Sequence, residues 1–270
     1  MPHLASIHIF PIKALDGVIV SEAQIQTGGS LVGDRQFAIF DSKGKYVNGK
    51  NNQQVHQIRA SYDLSNRQVE LSRQDGGNRA RFNLEGDRQA LVNWLSDYFG
   101  FAVTLQENLS TGFPDDKKST GPTIISTATI AKMTEWFPEL DQNQLRLRFR
   151  TNLEIADILP FWEEQLYGEV TQLVRFKIGT VEFVGTNPCQ RCIVPTRDPL
   201  TGESYAGFQK TFLQKRTETL PDWATRSRFN HFYRLAINTN IAAPTEAGKV
   251  LRVGDPVEIL ETCSVDNVDN

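Results

Sequence analysis

The 270-residue sequence predicts a mainly-β α+β fold, two β-rich halves with flanking helices. Three observations carry this. Short runs alternate apolar and polar residues at the period of a half-buried strand, beginning with Leu4-Ala5-Ser6-Ile7-His8-Ile9-Phe10. Only three stretches turn to a helical period: Asp87 to Phe99, Thr127 to Phe137 and Tyr205 to Arg216. A polar stretch from Glu107 to Gly121 reads as a linker or mobile loop between the halves. The expected division is 1–118 and 119–262, with a flexible tail over 263–270.

Pro11 stops the first strand, and Phe10-Pro11-Ile12-Lys13-Ala14-Leu15-Asp16-Gly17 follows it. Taken alone, Lys13 is a solvated charge after a strand. Val18 to Ile25 reads as a second strand and Gln36 to Phe40 as a third, with a hairpin turn over Asp41 to Lys45 leading to Tyr46-Val47. Between them Gly33-Asp34-Arg35 could be a surface ion pair of little consequence. Gly28-Gly29 is not a phosphate loop, since neither Lys-Ser/Thr nor a helix follows. Val55 to Ala60 and Gln68 to Ser72 alternate as further strands. Leu91, Trp94, Leu95 and Tyr98 share a helical face that Asp87 can cap and Gly100 ends. Phe101 to Leu105 returns to strand.

The second half opens with Thr123-Ile124-Ile125-Ser126, and Ser126 can cap a helix carrying Ile130, Met133 and Phe137 on one face. Arg146, Arg148 and Arg150 alternate, as on a strand with one charged face. Gly179 to Gly185 is β-like. In the helix from Tyr205 to Arg216, Phe208, Phe212 and Leu213 point inward. Its Lys210, Lys215 and Arg216 make either a solvated face or a dock for an acidic electron donor. His231 to Asn238 is a strand, Gly248 to Leu260 the closing β segment, and the residues from Glu261 a frayed polar tail.

Chemistry concentrates in Asn187-Pro188-Cys189-Gln190-Arg191-Cys192-Ile193-Val194-Pro195-Thr196-Arg197-Asp198-Pro199-Leu200-Thr201-Gly202. Two of the three cysteines stand here among basic residues. A thiolate beside Arg191 and Arg197 would have a lowered pKa, suited to a nucleophile or a soft-metal ligand. The β run before it and the turn after it place the sulfur at a loop tip.

Arg191-Cys192-Ile193, with Asp198-Pro199 and Thr201-Gly202 behind it, resembles the signature of MOSC-domain proteins. The branch it is most similar to holds the mitochondrial amidoxime-reducing components and bacterial YcbX-type proteins. The resemblance runs along nearly the whole chain and implies an N-terminal MOSC β-barrel-like domain before a MOSC β-barrel domain. It implies that Cys192 binds the molybdenum of the molybdenum cofactor, with Arg191 beside it. Phe10-Pro11-Ile12-Lys13-Ala14 is similar to the family's aromatic-Pro-aliphatic-Lys-Ser motif, so Lys13 would help hold the cofactor's phosphate, while Ala14 lacks the hydroxyl. By the same resemblance Arg35 is a phosphate or pterin contact, a role suited to its bidentate fork. Phe149-Arg150-Thr151-Asn152 matches a motif in which Arg150 holds the cofactor and Asn152 meets the pterin. Ser126 stands at the start of a helix that can meet an anion. Many relatives have an acidic residue just upstream, where Ser119 stands here. Phe161-Trp162-Glu163-Glu164 is similar to an acidic pair expected to be structural or on the substrate rim, and Gly248 to Asp255 to the last hairpin of the barrel.

The implied reaction reduces N–O bonds in amidoximes and N-hydroxylated bases, the metal doing the chemistry and the protein orienting and tuning it. The scattered Lys13, Arg35 and Arg150 predict a cleft between the halves. After Cys192 only Cys263 remains, too few for an iron–sulfur cluster, and no GxGxxG occurs. Electrons are therefore expected from a separate ferredoxin-, cytochrome b5- or flavoprotein-reductase-like donor. A non-enzymatic alternative is a cofactor or sulfur carrier holding a persulfide on a cysteine. A thioredoxin-like pair of Cys189 and Cys192 would need a helix start in a βαβ unit, and structural zinc would need two more ligands. The net charge of −3 argues against a nucleic-acid surface, and no apolar run approaches the roughly 20 residues of a membrane helix. With no secretory signal in the first residues and an odd cysteine count, a reducing cytoplasm is the expected compartment.

Overall fold

The computed structural model describes residues 1–264. The first half contains strands β1 (His3–Ile9), β2 (Val18–Val20), β3 (Glu22–Gln24), β4 (Phe37–Asp41), β5 (Ile58–Asp63), β6 (Gln68–Arg73) and β7 (Ala80–Asn83), then helix α1 (Arg88–Phe99) and β8 (Val103–Glu107). The second half follows with β9 (Ile124–Ser126), α2 (Thr127–Thr134), α3 (Gln142–Phe149), β10 (Leu153–Ala156), β11 (Gln172–Ile178) and β12 (Val181–Gln190). It ends with α4 (Phe208–Glu218), β13 (Arg234–Ile241), β14 (Val250–Arg252) and β15 (Val257–Ser264).

The main sheet has eight strands in the order β15-β11-β12-β13-β9-β10-β1-β2, with only β9–β10 parallel. It curls until the start of β1 meets the turn before β15. Leu4 N–H donates to the Asp255 carbonyl at 2.9 Å, and Gly254 N–H to that of Leu4 at 2.8 Å. The closure is barrel-like, and its lumen is filled from several strands by Leu4, Ile7, Ile124, Leu153, Phe176, Phe183 and Ile237. At Gly185 the wall leaves no room for a side chain, since a Cβ would lie 1.6 Å from the Leu166 carbonyl oxygen.

The mainly-β α+β prediction holds, but the chain is not divided cleanly near residue 118. β1 belongs to the second half's barrel through its pairing with β10, and β14 pairs back to β3. The remaining first-half strands, β4–β8 and β5–β6–β7, pack with α1 around Phe37, Ile58, Leu71, Leu91 and Leu105. The Gly248 to Leu260 segment is not one hairpin, because β14 and β15 lie in different sheets. Nor does a tail begin at Glu261 or Cys263: β15 stays paired with β11 to Ser264, opposite Gln172. The rest of the expected tail lies outside the described residues.

The second strand breaks in two at Ser21, and Tyr46 makes only an isolated bridge to Phe40. Arg146 and Arg148 lie on α3, not on a strand. Asp141 and Gln144 form a capping box at its start, and Arg150 ends it in the left-handed conformation. Asp87 precedes α1 without capping it by side chain, while Gly100, at φ 74°, closes it as expected. α2, α3 and α4 cover one side of the barrel through Met133, Phe137, Phe149, Phe208 and Phe212, with the Phe137 and Phe208 rings stacked 4.3 Å apart.

Candidate active site

A cavity of about 520 Å³ opens where the first-half loops face α3 and the end of β12. Three lysines and seven arginines line it, ten of the chain's 29, against three of its 32 acidic residues. In a chain of net charge −3 this selects for an anion. The segment expected as a free linker is part of the wall, contributing Asp115, Asp116 and Lys117.

Lys13, Arg35 and Arg150 come together here, as predicted. Lys13, 8% exposed, donates to the Phe113 carbonyl at 2.8 Å and to Asp115 at 2.7 Å. Burial lowers its pKa, and Asp115 partly restores it. Asp115 faces the cavity. Crowding by protein would raise its pKa, but Lys13 and Arg35 hold it well below the usual carboxylate range.

Arg35 and Arg150 flank the Phe10 ring, their guanidinium carbons 5.1 and 4.2 Å from its centre. Arg35 pairs with Asp34 and donates to the Arg150 carbonyl at 3.1 Å. Arg150 donates to the Leu15 carbonyl at 2.6 Å. Burial and then neighbouring Arg35 pull the Arg150 pKa down to about 10. Burial would lower the Arg35 pKa, but Asp34 and Asp115 outweigh it and raise that pKa, so the group short of counter-charge is Arg150, whose field an anion relieves. Ala14, Arg35 and Arg150 also have positive φ, at 75°, 47° and 51°, three of the eight such non-glycine residues described. Strained backbone of this kind is held by surrounding structure and gathers at ligand sites.

β12 carries two register irregularities against β13, between Gly185 and Asn187 and between Pro188 and Gln190. These bulges bend the strand as it delivers the cysteine loop. Arg191 N–H bonds the Tyr233 carbonyl at 3.0 Å, and its guanidinium reaches the Phe149 carbonyl. From α3, Arg148 donates to the Pro195 carbonyl at 3.1 Å and to that of Arg197, with Asp198 at 3.7 Å. Asp198 accepts from Leu200 and Thr201 N–H, both at 2.9 Å. The loop is pinned on both sides of Val194.

The two cysteines differ. Cys192 is half-buried on the cleft wall. Cys189, within β12, is 4% exposed and donates its thiol to Asn238 Oδ1 at 2.8 Å. Burial, only partly opposed by Arg191, pushes its pKa up to about 12, against the lowering expected from basic neighbours. A thioredoxin-like context is absent, since Cys189 stands in an antiparallel strand. Among the described residues no three His, Cys, Asp or Glu side chains gather as a metal set.

Two predicted contacts are not on the cleft wall. Ser126 is fully buried, capping α2 through Thr129 N–H at 2.9 Å and meeting Thr129 Oγ1 at 2.6 Å. Asn152, 1% exposed, accepts from Arg35 at 3.2 Å and from Thr123, and donates to the His8 carbonyl at 3.0 Å. It orients Arg35 from behind, beside a small cavity of about 40 Å³. Glu163 and Glu164 are core groups rather than a rim, and Glu164 pairs with Arg216. Arg216 is therefore no part of a solvated basic face on α4, where Lys210 is exposed and Lys215 partly so.

Sequence reading missed Arg148 and the first-half residues His56 and Arg59. The signal for Arg148 was its place two residues before Arg150, misread through strand alternation. His56 and Arg59 reach the cleft only because the first half folds over the cysteine loop.

The MOSC N-terminal beta barrel domain matches residues 1–100 and the MOSC domain residues 123–258. The chain is similar to molybdenum cofactor sulfurase of Homo sapiens, 23% identical over 266 residues, covering 80% of this chain but 29% of that protein. It is also similar to mitochondrial amidoxime reducing component 2 of Macaca fascicularis, 24% identical over 294 residues, covering 94% of this chain and 82% of that one. A crystal structure described as a hypothetical protein aligns over 97% of this chain and 69% of its own, with TM-score 0.45 and 8% identity. The two domain matches cover most of the sequence in order, and the chain belongs to the MOSC family, a MOSC N-terminal beta barrel domain followed by a MOSC domain.

Proposed function

We propose that the chain binds the molybdenum cofactor in this cleft and reduces N–O bonds of N-hydroxylated small molecules, using electrons from a separate redox protein. The observation that carries the reading is Cys192, the less buried of the two cysteines on the cleft wall, set among a wall of cations. The similarity to proteins named molybdenum cofactor sulfurase and amidoxime reducing component supports a role with the molybdenum cofactor.

The residues fit the group. A phosphate is an anion for Lys13, Arg35 and Arg150. The Nε–H groups of Arg148, Arg191, Arg197 and Arg234 are buried without an acceptor among the described residues. One thiolate, with no protein metal set around it, suits a metal whose other ligands come from a cofactor. When bound, the cofactor supplies two-electron redox chemistry, which with two protons turns an N-hydroxyl group into N–H and water.

The chain's own part is binding and positioning. Lys13, Arg35 and Arg150 hold the phosphate, with Asn152 keeping Arg35 aimed. Cys192 offers its sulfur from a loop that Arg148 pins, and Arg191 stands beside it. Cys189 remains a protonated thiol bonded to Asn238. Lys210 and Lys215 are the residues left on α4 to meet an acidic donor.

The test is metal and pterin analysis of protein made in a cofactor-competent host, with turnover of an amidoxime driven by added reductase components. Cys192→Ser should lose activity and metal–thiolate absorption, while Cys189→Ser keeps most of both. Equal loss in the two variants would refute the assignment. Protein lacking molybdenum but carrying a persulfide would replace the reading by the sulfur carrier.

A further inference from the structure

The cations of the cleft outnumber what one phosphate needs. A phosphate monoester carries roughly −1.5 to −2 charges at neutral pH. Lys13, Arg35 and Arg150 already supply three positive charges on one wall, while the whole lining has ten cations against three acids. The surplus is not spread evenly. It includes a second group where the first half closes over the cysteine loop.

Arg59, at the start of β5, donates to the His56 carbonyl at 2.5 Å and lies 3.4 Å from that of Pro199. Its one ion-pair partner among the described residues is Asp16, at 3.5 Å. In the lining of the same cavity, the Arg197 guanidinium has no hydrogen-bond or ion-pair partner among the described residues, and its Nε is buried. The two surfaces are in contact. A Cβ on Gly202 would lie 3.0 Å from the Gln53 carbonyl oxygen and 3.2 Å from the His56 ring. His56 is 9% exposed in the same wall. Its pKa is lowered by burial and then by Arg197, Arg150 and Arg59, so it sits in a field of positive sign.

We propose that Arg59 and Arg197, with His56 beside them, form a second anion subsite that takes a phosphate-class group other than the one held by Lys13, Arg35 and Arg150. Two planar guanidinium groups lining one cavity, one from each of the contacting surfaces, suit the spread oxygens of a phosphate. The cavity volume lies inside the roughly 300–1,000 Å³ of ligand pockets, so a second group has room. The phosphate belongs either to an N-hydroxylated substrate that carries one or to a nucleotide extension of the cofactor. Either assignment rests on the function proposed above; the anion subsite itself does not.

The experiment begins with acid release and mass analysis of whatever the purified protein holds. A nucleotide equimolar with molybdenum, lost in Arg197→Gln, supports the subsite and gives it to the cofactor; a nucleotide retained in full by Arg59→Gln and Arg197→Gln overturns it. Without a nucleotide, inorganic phosphate is titrated calorimetrically into wild type, Arg59→Gln, Arg59→Lys and Arg197→Gln, each first checked for an unchanged melting curve. Cofactor-loaded protein should bind one phosphate, tenfold or more weakly in the Gln variants, with partial rescue in Arg59→Lys and weakening by salt. That result gives the subsite to the substrate, and the KM of a phosphate-bearing amidoxime should then fall below that of its neutral analogue in wild type only. If the preparation has no cofactor, the proposed function fails, yet the titration still decides: two phosphates in wild type and one in Arg197→Gln support the subsite. Phosphate binding unchanged in both Gln variants overturns it.

Discussion

Glu163→Gln should leave stability unchanged near pH 4 and raise it at neutral pH. Glu163 and Glu164 are adjacent and 0% and 1% exposed, and the one cation beside them, Arg216, is committed to Glu164. Glu163 Oε2 accepts from Thr129 Oγ1 at 3.1 Å, and its Oε1 has no partner among the described residues. Burial first, and Glu164 second, push the Glu163 pKa from the ordinary 4.5 to about 7. The folded state thus holds this proton more firmly than the unfolded state does. The stability that goes with it is full below pH 4.5 and falls as pH rises to 7. A shift of about 2.5 units at 1.36 kcal/mol each gives about 3 kcal/mol. Glutamine copies the neutral carboxyl at every pH, so the variant escapes that loss. Urea unfolding of both proteins from pH 4 to pH 8 measures it. The difference should grow from near zero to about 3 kcal/mol in favour of the variant. A difference that stays flat with pH would show that Glu163 is charged in the fold and that the reasoning is wrong.

Other outcomes follow from the same structure. Alanine at Lys13, Arg35 or Arg150 should each lower molybdenum and pterin content more than it lowers the melting temperature of cofactor-free protein; full occupancy in all three removes their role. Arg148→Ala frees two loop carbonyls from a buried cation and should cost about 3 kcal/mol in denaturant unfolding while lowering metal retention. Lysine there should rescue poorly, because one ammonium cannot reproduce a planar fork. Gly185→Ala would push a Cβ into the Leu166 carbonyl at 1.6 Å, and soluble, wild-type-like protein from that variant would contradict the barrel packing.

Much of the fold was legible because strand signals are local. Alternation at Ile7 and Ile9, the run Val181 to Gly185 and the cap at Ser126 each depend on neighbours in sequence. Cys192 was legible because its signature is contiguous, and Lys13, Arg35 and Arg150 because each sits in a short motif. The errors share one cause. Arg146, Arg148 and Arg150 satisfy period two on paper, yet the Asp141–Gln144 capping box starts a helix through the first two. Arg216 looked like one more surface cation because its partner Glu164 lies 52 residues away. Ser126 looked available to a ligand because Glu163, which meets Thr129 Oγ1 beside the same cap, comes from a distant loop.

The sequence by itself determined a mainly-β chain, the family signature and the cysteine-bearing loop that lines the cleft. These are properties of residue order over ten or so positions, where alternation, turns and motifs act. The tertiary structure alone decided that β1 closes the second half's barrel, that Asp115 in the supposed linker meets Lys13, and that Cys189 is buried while Cys192 is half-buried. It alone brought Arg59 and Arg197 to one cavity. Each of these depends on which distant surfaces exclude water together, and burial, not sequence spacing, decides which charges must be paired and which remain to bind a ligand.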